Sequence, residues 1–158
     1  MQGNPKVLEN LNKVLTAQLT AINQYFLVAR IFKNWGISTL NSVNYKKSIK
    51  NMKLADDLIE RVLFLEGLPN MSALNQLIIG EHTAEIMACN LQFQVDAMPD
   101  LREAIAHCEQ VQDFVTRELL EGILSHEEDH LDWLETQHYQ IDKIGIENYI
   151  TANSVSGD

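Results

Sequence analysis

The sequence predicts an all-α fold, a bundle of four long helices followed by a short fifth one. Three observations predict it. Apolar residues recur at steps of three and four over most of the chain, the period of one helix face. Glycine and proline are few, 7 and 3 in 158 residues, and they fall where the periodic segments stop. Hydrophobic residues make up 46%, enough for one domain of this length to bury a core without disulfides or a structural metal.

Pro5 is placed to open the first helix. Leu8, Leu11, Leu15, Gln18, Ile22, Tyr25 and Ala29 then mark one face, and Asn34-Trp35-Gly36 ends it, with Gly36 as a left-handed cap. A second helix runs from about Ser38 to Glu66 with Ile49, Ala55, Ile59, Val62 and Leu65 as its apolar positions, and Gly67-Leu68-Pro69-Asn70 stops it. The stretch to Gly80 reads as a long crossover. A third helix starts near Glu81. Pro99 should kink or break it, because proline lacks the amide and crowds the preceding turn. The pattern resumes at Leu101 and leads into a fourth helix, about Gln112 to Ile144, closed by Gly145. Ile146 to Asn153 makes one or two further turns, and residues 154–158 read as a disordered tail. The whole is a single domain over residues 1–158, with the bundle over about 4–144. Four long helices, one long crossover between the second and third, and short links elsewhere describe a ferritin-like four-helix bundle. An ordinary bundle of another connectivity fits the same helices.

The formal net charge is −10 and the pI about 4.8. An acidic surface disfavours nucleic acid and anionic membranes as partners and suits metal cations or simple solubility. No apolar run is long enough to span a bilayer, and no basic-then-apolar leader is seen. Cys89 and Cys108 lack metal-ligand spacing, so reduced thiols in a cytoplasmic protein are expected.

The most specific local signal is Glu127-x-x-His130. Residues three apart share a helix face, and di-iron bundles use such a pair from each of two helices. Here it lies in the apolar stripe of Leu120, Ile123, Leu124 and Leu134, where a carboxylate and an imidazole need partners or a metal. A metal pair and a hydrogen-bonded core pair both fit. The second helix offers no matching pair; it reads Asn51-Met52-Lys53-Leu54 at that level. The first and third helices place Gln18 and Gln94 there. Iron prefers anionic oxygen and imidazole; Gln and Asn offer a neutral carbonyl oxygen, and Leu offers nothing.

The sequence resembles the bacterioferritins over nearly its whole length. The segments that carry the resemblance include Ala21-Ile22-Asn23-Gln24-Tyr25-Phe26, Lys33-Asn34-Trp35-Gly36, Ile59-Glu60-Arg61-Val62-Leu63-Phe64-Leu65-Glu66-Gly67-Leu68-Pro69, Ile78-Ile79-Gly80-Glu81, Leu101-Arg102-Glu103-Ala104-Ile105, His130-Leu131-Asp132-Trp133-Leu134-Glu135 and Ile144-Gly145-Ile146-Glu147-Asn148-Tyr149. The resemblance implies six iron-ligand positions, matching Gln18, Asn51, Leu54, Gln94, Glu127 and His130. Only Glu127 and His130 keep the expected type. Glutamates are replaced at Gln18, Asn51 and Gln94, and a histidine at Leu54. The expectation is a retired ferroxidase pocket filled by a neutral hydrogen-bonded cluster, with Gln18 and Gln94 donating toward Glu127. One weakly held iron on Glu127 and His130 is the other option. An inner-wall iron site of the family matches Lys46 and Lys50, and lysines there repel a cation.

By spacing alone, Met52 is a flexible gap-filler. The resemblance implies that it is the axial ligand of haem b, one haem per subunit pair, held by two thioethers across a two-fold axis. A residue next to Asn51 projects about 100° away from the pocket, toward the dimer side. Leu19, Asn23, Phe26, Ile49 and Lys53 complete the expected haem surroundings. Lys46, Lys50 and Lys53 make a basic stretch that suits propionates or plain solvent. Tyr25, Trp35 and Trp133 read as packing residues. The function so implied is iron storage, by a haem-carrying subunit of a 24-subunit shell. Such a subunit assists electron transfer for iron release and has no intrinsic ferroxidase. Iron in the shell cavity, a ferroxidase-competent ferritin or bacterioferritin subunit in a mixed shell, and a bacterioferritin-associated ferredoxin are the implied cargo and partners. The competing reading is a ferroxidase that oxidises Fe2+ with O2 or peroxide at a rebuilt site.

Overall fold

A computed structural model describes residues 1–154; the expected tail beyond Ser154 lies outside the described residues. Five helices follow in order: α1 (Pro5–Asn34), α2 (Ser38–Phe64), α3 (Thr83–Gln110), α4 (Phe114–Ile144) and α5 (Ile146–Asn153). The starts of α1, α3 and α4 are fixed by side chains that accept free amides of the first turn. Asn4 Oδ1 accepts from Lys6 and Val7 at 2.9 and 3.2 Å, with Pro5 just inside. Asp113 accepts from the Thr116 amide at 3.1 Å and from Arg61 of α2 at 3.2 Å, so the cap of α4 is also a tie between helices. Gly36 (φ 77°) and Gly145 (φ 81°) sit at the expected turns in the left-handed region.

α1 packs mainly on α2, and α3 on α4, with α1 against α3 joining the two pairs. Residues 65–82 form the crossover without a helix of their own. It is fastened to α1 by side-chain amides and a hydroxyl. Gln24 donates to the Ile78 carbonyl (2.7 Å) and accepts from the Ile78 amide (3.0 Å). Thr20 Oγ1 accepts from the Asn75 amide (2.9 Å), and Asn12 Oδ1 from that of Asn70 (2.8 Å). These contacts satisfy backbone groups that a loop would otherwise leave to water.

Two apolar clusters occupy the two ends of the bundle. One includes Val7, Leu11, Leu15, Leu58, Val62 and Leu120; the other includes Val28, Phe32, Leu40, Ile86, Leu134 and Tyr149. α5 closes the second cluster by burying Tyr149, whose hydroxyl donates to Gln137 at 2.6 Å. Between the clusters lies a polar layer contributed by all four long helices.

Three expectations need correction. Pro99 does not break α3, which is continuous through it. Pro99 and Val95 are both exposed, so the carbonyl that a residue-99 amide would have bonded lies on the wet side of the helix. The second and fourth helices are shorter than expected, because Glu66 and Gln112 adopt positive φ (61° and 63°) and end the regular turns. The buried face of α2 agrees with expectation at Ala55, Val62 and Leu65, but Ile49 and Ile59 are only half-buried, and the enclosed face extends over Leu40, Asn44, Lys47, Asn51, Leu54 and Leu58.

Candidate functional site: a buried polar pocket and an exposed methionine

The buried stripe of α2 carries a lysine. Lys47 is 4% exposed and faces Glu127 of α4, which is 6% exposed. Its Nζ lies 2.9 Å from both carboxylate oxygens of Glu127 and 3.2 Å from His126 Nε2. An ammonium has three protons, and three acceptors surround it. A buried ion pair is tolerated only when its remaining polar atoms are satisfied, and removing one partner typically costs about 3–5 kcal/mol. The remaining acceptor capacity of Glu127 is taken up by amides. Gln94 Nε2 donates to Oε2 and, at 3.1 Å, to the Glu127 backbone carbonyl. Asn51 Nδ2 and Gln18 Nε2 reach Oε1 at 3.3 and 3.4 Å, and Asn51 also donates to Gln18 Oε1 at 2.6 Å. Tyr25, fully buried, donates its hydroxyl to Gln94 Oε1 at 2.8 Å.

The charges tune one another. Burial alone would raise the Glu127 carboxyl, but the Lys47 ammonium and the Gln94 amide outweigh it and hold that carboxyl below its ordinary range. Burial draws the Lys47 amine down, against the pull of Glu127. His126 is lowered by burial and then by Lys47, which keeps its Nε2 free to accept. His130 is pushed down to about 3 by burial and then by Lys47. It is a neutral imidazole stacked on Trp133 (centroids 5.7 Å apart) and edge-on to Tyr25 (5.0 Å). Its Nε2 is buried without a hydrogen-bond partner, as is Asn51 Oδ1.

Five of the six ligand-equivalent positions are therefore gathered around one point: Gln18, Asn51, Gln94, Glu127 and His130. Leu54, 6% exposed, belongs instead to the apolar cluster beside them. Donation from Gln18 and Gln94 to Glu127 is as expected. The expected neutral cluster is not: the pocket holds a full ion pair, and its cation is Lys47, which sequence reasoning passed over for Lys46, Lys50 and Lys53. Tyr25 is likewise part of the pocket, not packing alone. The signal for Lys47 was present, since it stands four residues before Asn51 and seven before Leu54, on their face of the helix. A pair of ferrous ions needs several carboxylates; one carboxylate already neutralised by an ammonium does not fit them. The cavity beside Gln18, Gln94 and Glu127, about 20 Å³, has room for about one water.

The other face of α1 and α2 is different. Met52 is 52% exposed and Phe26 47%. Asn23 and Lys53 are also exposed, and Leu19 and Ile49 are half-buried. Arg30 lies over the rings of Phe26 and Tyr45 at 5.3 and 4.8 Å, holding this aromatic edge in place. Asn51 is thus enclosed and Met52 open, in keeping with the turn of about 100° between neighbours on a helix. A thioether on an apolar, open face is compatible with axial ligation of haem. Among the described residues, no helix is long and apolar enough to cross a membrane.

The bundle, the crossover and the central polar layer define a ferritin-like protein, and the ferritin-like domain model matches residues 8–144. The chain is 43% identical to a bacterioferritin of Mycobacterium avium over 156 residues, covering 99% of this chain and 98% of that one. It is 38% identical to a bacterioferritin of Brucella melitensis over 158 residues (100% and 98%) and 40% identical to a bacterial ferritin of Synechocystis over 153 residues (96% and 98%). The chain belongs to the bacterioferritin family, and iron storage is the function this membership supports.

Proposed function

We propose that this chain is a haem-carrying subunit of an iron-storage shell and has no ferroxidase site of its own. The observation that carries this reading is the Lys47–Glu127 ion pair, which stands in the pocket where relatives of this fold need carboxylates for iron. Fe2+ entering such a pocket would meet a fixed positive charge, two carboxamides and one already-paired carboxylate. No oxidation step follows from those groups, and the reading as a rebuilt ferroxidase loses its chemistry.

The haem side rests on Met52. Met52, half exposed on the same pair of helices as Phe26, Leu19 and Ile49, offers a soft ligand, and Lys53 supplies charge for a carboxylate. Haem b bound there, one per subunit pair, would supply one-electron transfer for iron release. With oxidation absent from this chain, the shell requires a second, ferroxidase-competent ferritin or bacterioferritin subunit, in a mixed 24-subunit assembly. A bacterioferritin-associated ferredoxin is the electron donor that fits.

The experiment has three readings on one preparation. Haem-replete protein should show a low-spin spectrum at about one haem per two chains, and Met52→Ala should lose it while keeping its helical circular dichroism. Added Fe2+ should oxidise no faster than in a protein-free control at neutral pH. Native mass spectrometry of shells from the source cell should find a second subunit type. An unchanged low-spin spectrum in Met52→Ala refutes the ligand. Fast, saturable iron oxidation by this chain alone refutes the loss of the ferroxidase site.

A further inference from the structure

Residues 46–53 hold four of the chain's 12 lysines and arginines and no acid, in a chain whose net charge is −10. Lys47 turns inward to Glu127, but Lys46, Lys50 and Lys53 are exposed. Steps of four and three residues set those three on one face of α2. Lys53 has Asp56 and Asp57 three and four places on. Lys46 and Lys50 have no carboxylate at that spacing in either direction, only lysines and uncharged residues. Like charges four apart repel across a helix turn. Among the described residues neither Lys46 nor Lys50 forms an ion pair, whereas Lys6 and Lys13 both reach Glu9, at 3.5 and 3.9 Å. Two adjacent cations thus stand unmatched on a protein rich in carboxylates.

α4 brings a third group to this corner. The Lys47 ammonium donates to the half-buried His126 at Nε2, 3.2 Å away, so the ring carries its proton on Nδ1. That N–H has no acceptor among the described residues. Lys50 is close enough to act on the same ring: burial lowers the proton affinity of His126, Lys47 and Lys50 add to the lowering, and Glu127 and Asp129 oppose it. We propose that Lys46 and Lys50, with the Nδ1–H of His126, bind a small oxyanion, inorganic phosphate in particular. Each ammonium can turn a proton toward it, and a tetrahedral oxyanion has acceptors enough to meet both turns of α2 and the ring at once. Long polyanions are disfavoured by the negative field of the whole chain, which a mobile phosphate meets with far less charge. The exposed Asp129 is the group that opposes the anion. Lys47 contributes from inside, by fixing the tautomer that presents Nδ1–H. The site needs neither haem nor the loss of iron oxidation.

The test is a titration of the full, iron-free chain with inorganic phosphate at pH 7 and fixed ionic strength, followed by calorimetry and by imidazole NMR. One phosphate per chain should bind saturably and move the His126 ring signals. Lys46→Gln and Lys50→Gln should each weaken binding by about fivefold or more, and the two together should abolish it. Asp129→Asn should tighten it by about twofold or more. Lys143→Gln, in the last turn of α4, should leave it unchanged. The proposal is overturned if phosphate does not saturate, if chloride at equal ionic strength competes as well as phosphate, if the double lysine variant binds like the unmodified chain, or if the His126 signals stay still. A duplex oligonucleotide or phosphatidylglycerol vesicles held about tenfold more tightly than phosphate, through the same two lysines, would also overturn it, in favour of a macromolecular surface. None of these outcomes bears on the haem spectrum or on iron oxidation by the unmodified chain, so failure here and failure of the haem-subunit reading are separately visible.

Discussion

Gln94 holds Glu127 at two places, donating from Nε2 to the side-chain Oε2 and to the backbone carbonyl of the same residue. The amide thus fixes both where the carboxylate sits and how α4 turns beneath it. Gln94→Glu removes that donor and sets two carboxylates before one ammonium. One of the two then holds a proton more tightly than usual, because like charges in one site cannot both ionise cheaply. The variant should lose roughly 1–3 kcal/mol of stability at pH 7, and recover part of it as the pH falls through that raised pKa. Denaturant unfolding at pH 7 and pH 5 checks this; an equal loss at both would mean that shape, not charge, is at stake.

His130 gives the wild-type protein an acid-side slope. Its ordinary pKa, near 6.5 in an unfolded chain, drops to about 3 in the folded one, through burial and the Lys47 charge. Below pH 6.5 the unfolded chain takes up a proton that the folded chain refuses. Stability from this group is complete above pH 6.5 and drains away as pH falls toward 3, by at most about 5 kcal/mol at 1.36 kcal/mol per unit. Glu127, held below its usual range, adds a loss with the same sign at the acid end. His126, Lys47, Glu127 and the buried Tyr25 are its charged or titratable neighbours. His130→Phe, whose ring needs no partner for Nε2, should flatten the curve between pH 6.5 and 4. Imidazole NMR should find His130 neutral at pH 5.

Restoring Gln18→Glu, Asn51→Glu, Leu54→His and Gln94→Glu together should not bring back rapid iron oxidation while Lys47 stays. The ammonium would occupy the centre of the rebuilt set and repel Fe2+. The same four changes with Lys47→Ala should yield saturable oxidation. Stopped-flow absorbance on both proteins checks the order; fast oxidation in the four-fold variant alone would show that Lys47 can swing aside.

Gln24 clamps the crossover by both edges of the Ile78 peptide while touching Asn90 of α3 at 3.2 Å. Gln24→Leu keeps the bulk and strands the Ile78 amide and carbonyl, an expected cost of about 1–3 kcal/mol. Amide exchange at Ile78 and Asn75 should quicken by tenfold or more, with the residues of the apolar cluster around Leu11 unaffected. Unchanged exchange would place the loop's anchorage elsewhere.

The fold was legible because its strongest signals are local: Pro5, Gly36 and Gly145 punctuate, and the three-four apolar rhythm needs no tertiary knowledge. The ends of α2 and α4 were less so, since Glu66 and Gln112 take positive φ for reasons of chain direction that neither residue type advertises. Within the site, Glu127 and His130 stood out by their spacing, and the resemblance pointed to Gln18, Asn51, Leu54 and Gln94, of which Leu54 joins the apolar cluster instead. Lys47 was missed, because a lysine next to Lys46 and near Lys50 reads as one more solvated charge. Only its phase relative to Asn51 and Leu54, weighed above its chemistry, separates the buried lysine from the exposed ones. Pro99 erred in the other direction: its chemistry was weighed, and its place on the wet side of α3 was not.

Asn51 and Met52 are joined by one peptide bond, yet the first is fully enclosed and the second half open. Heredity can therefore work on α2 as on two separate pages. A codon change that rewrites the enclosed side leaves the open side as it was, and the reverse holds too. A duplicated gene can shed an inner chemistry and keep an outer recognition surface within a single stretch of 27 residues, with no exchange of domains and no new loop.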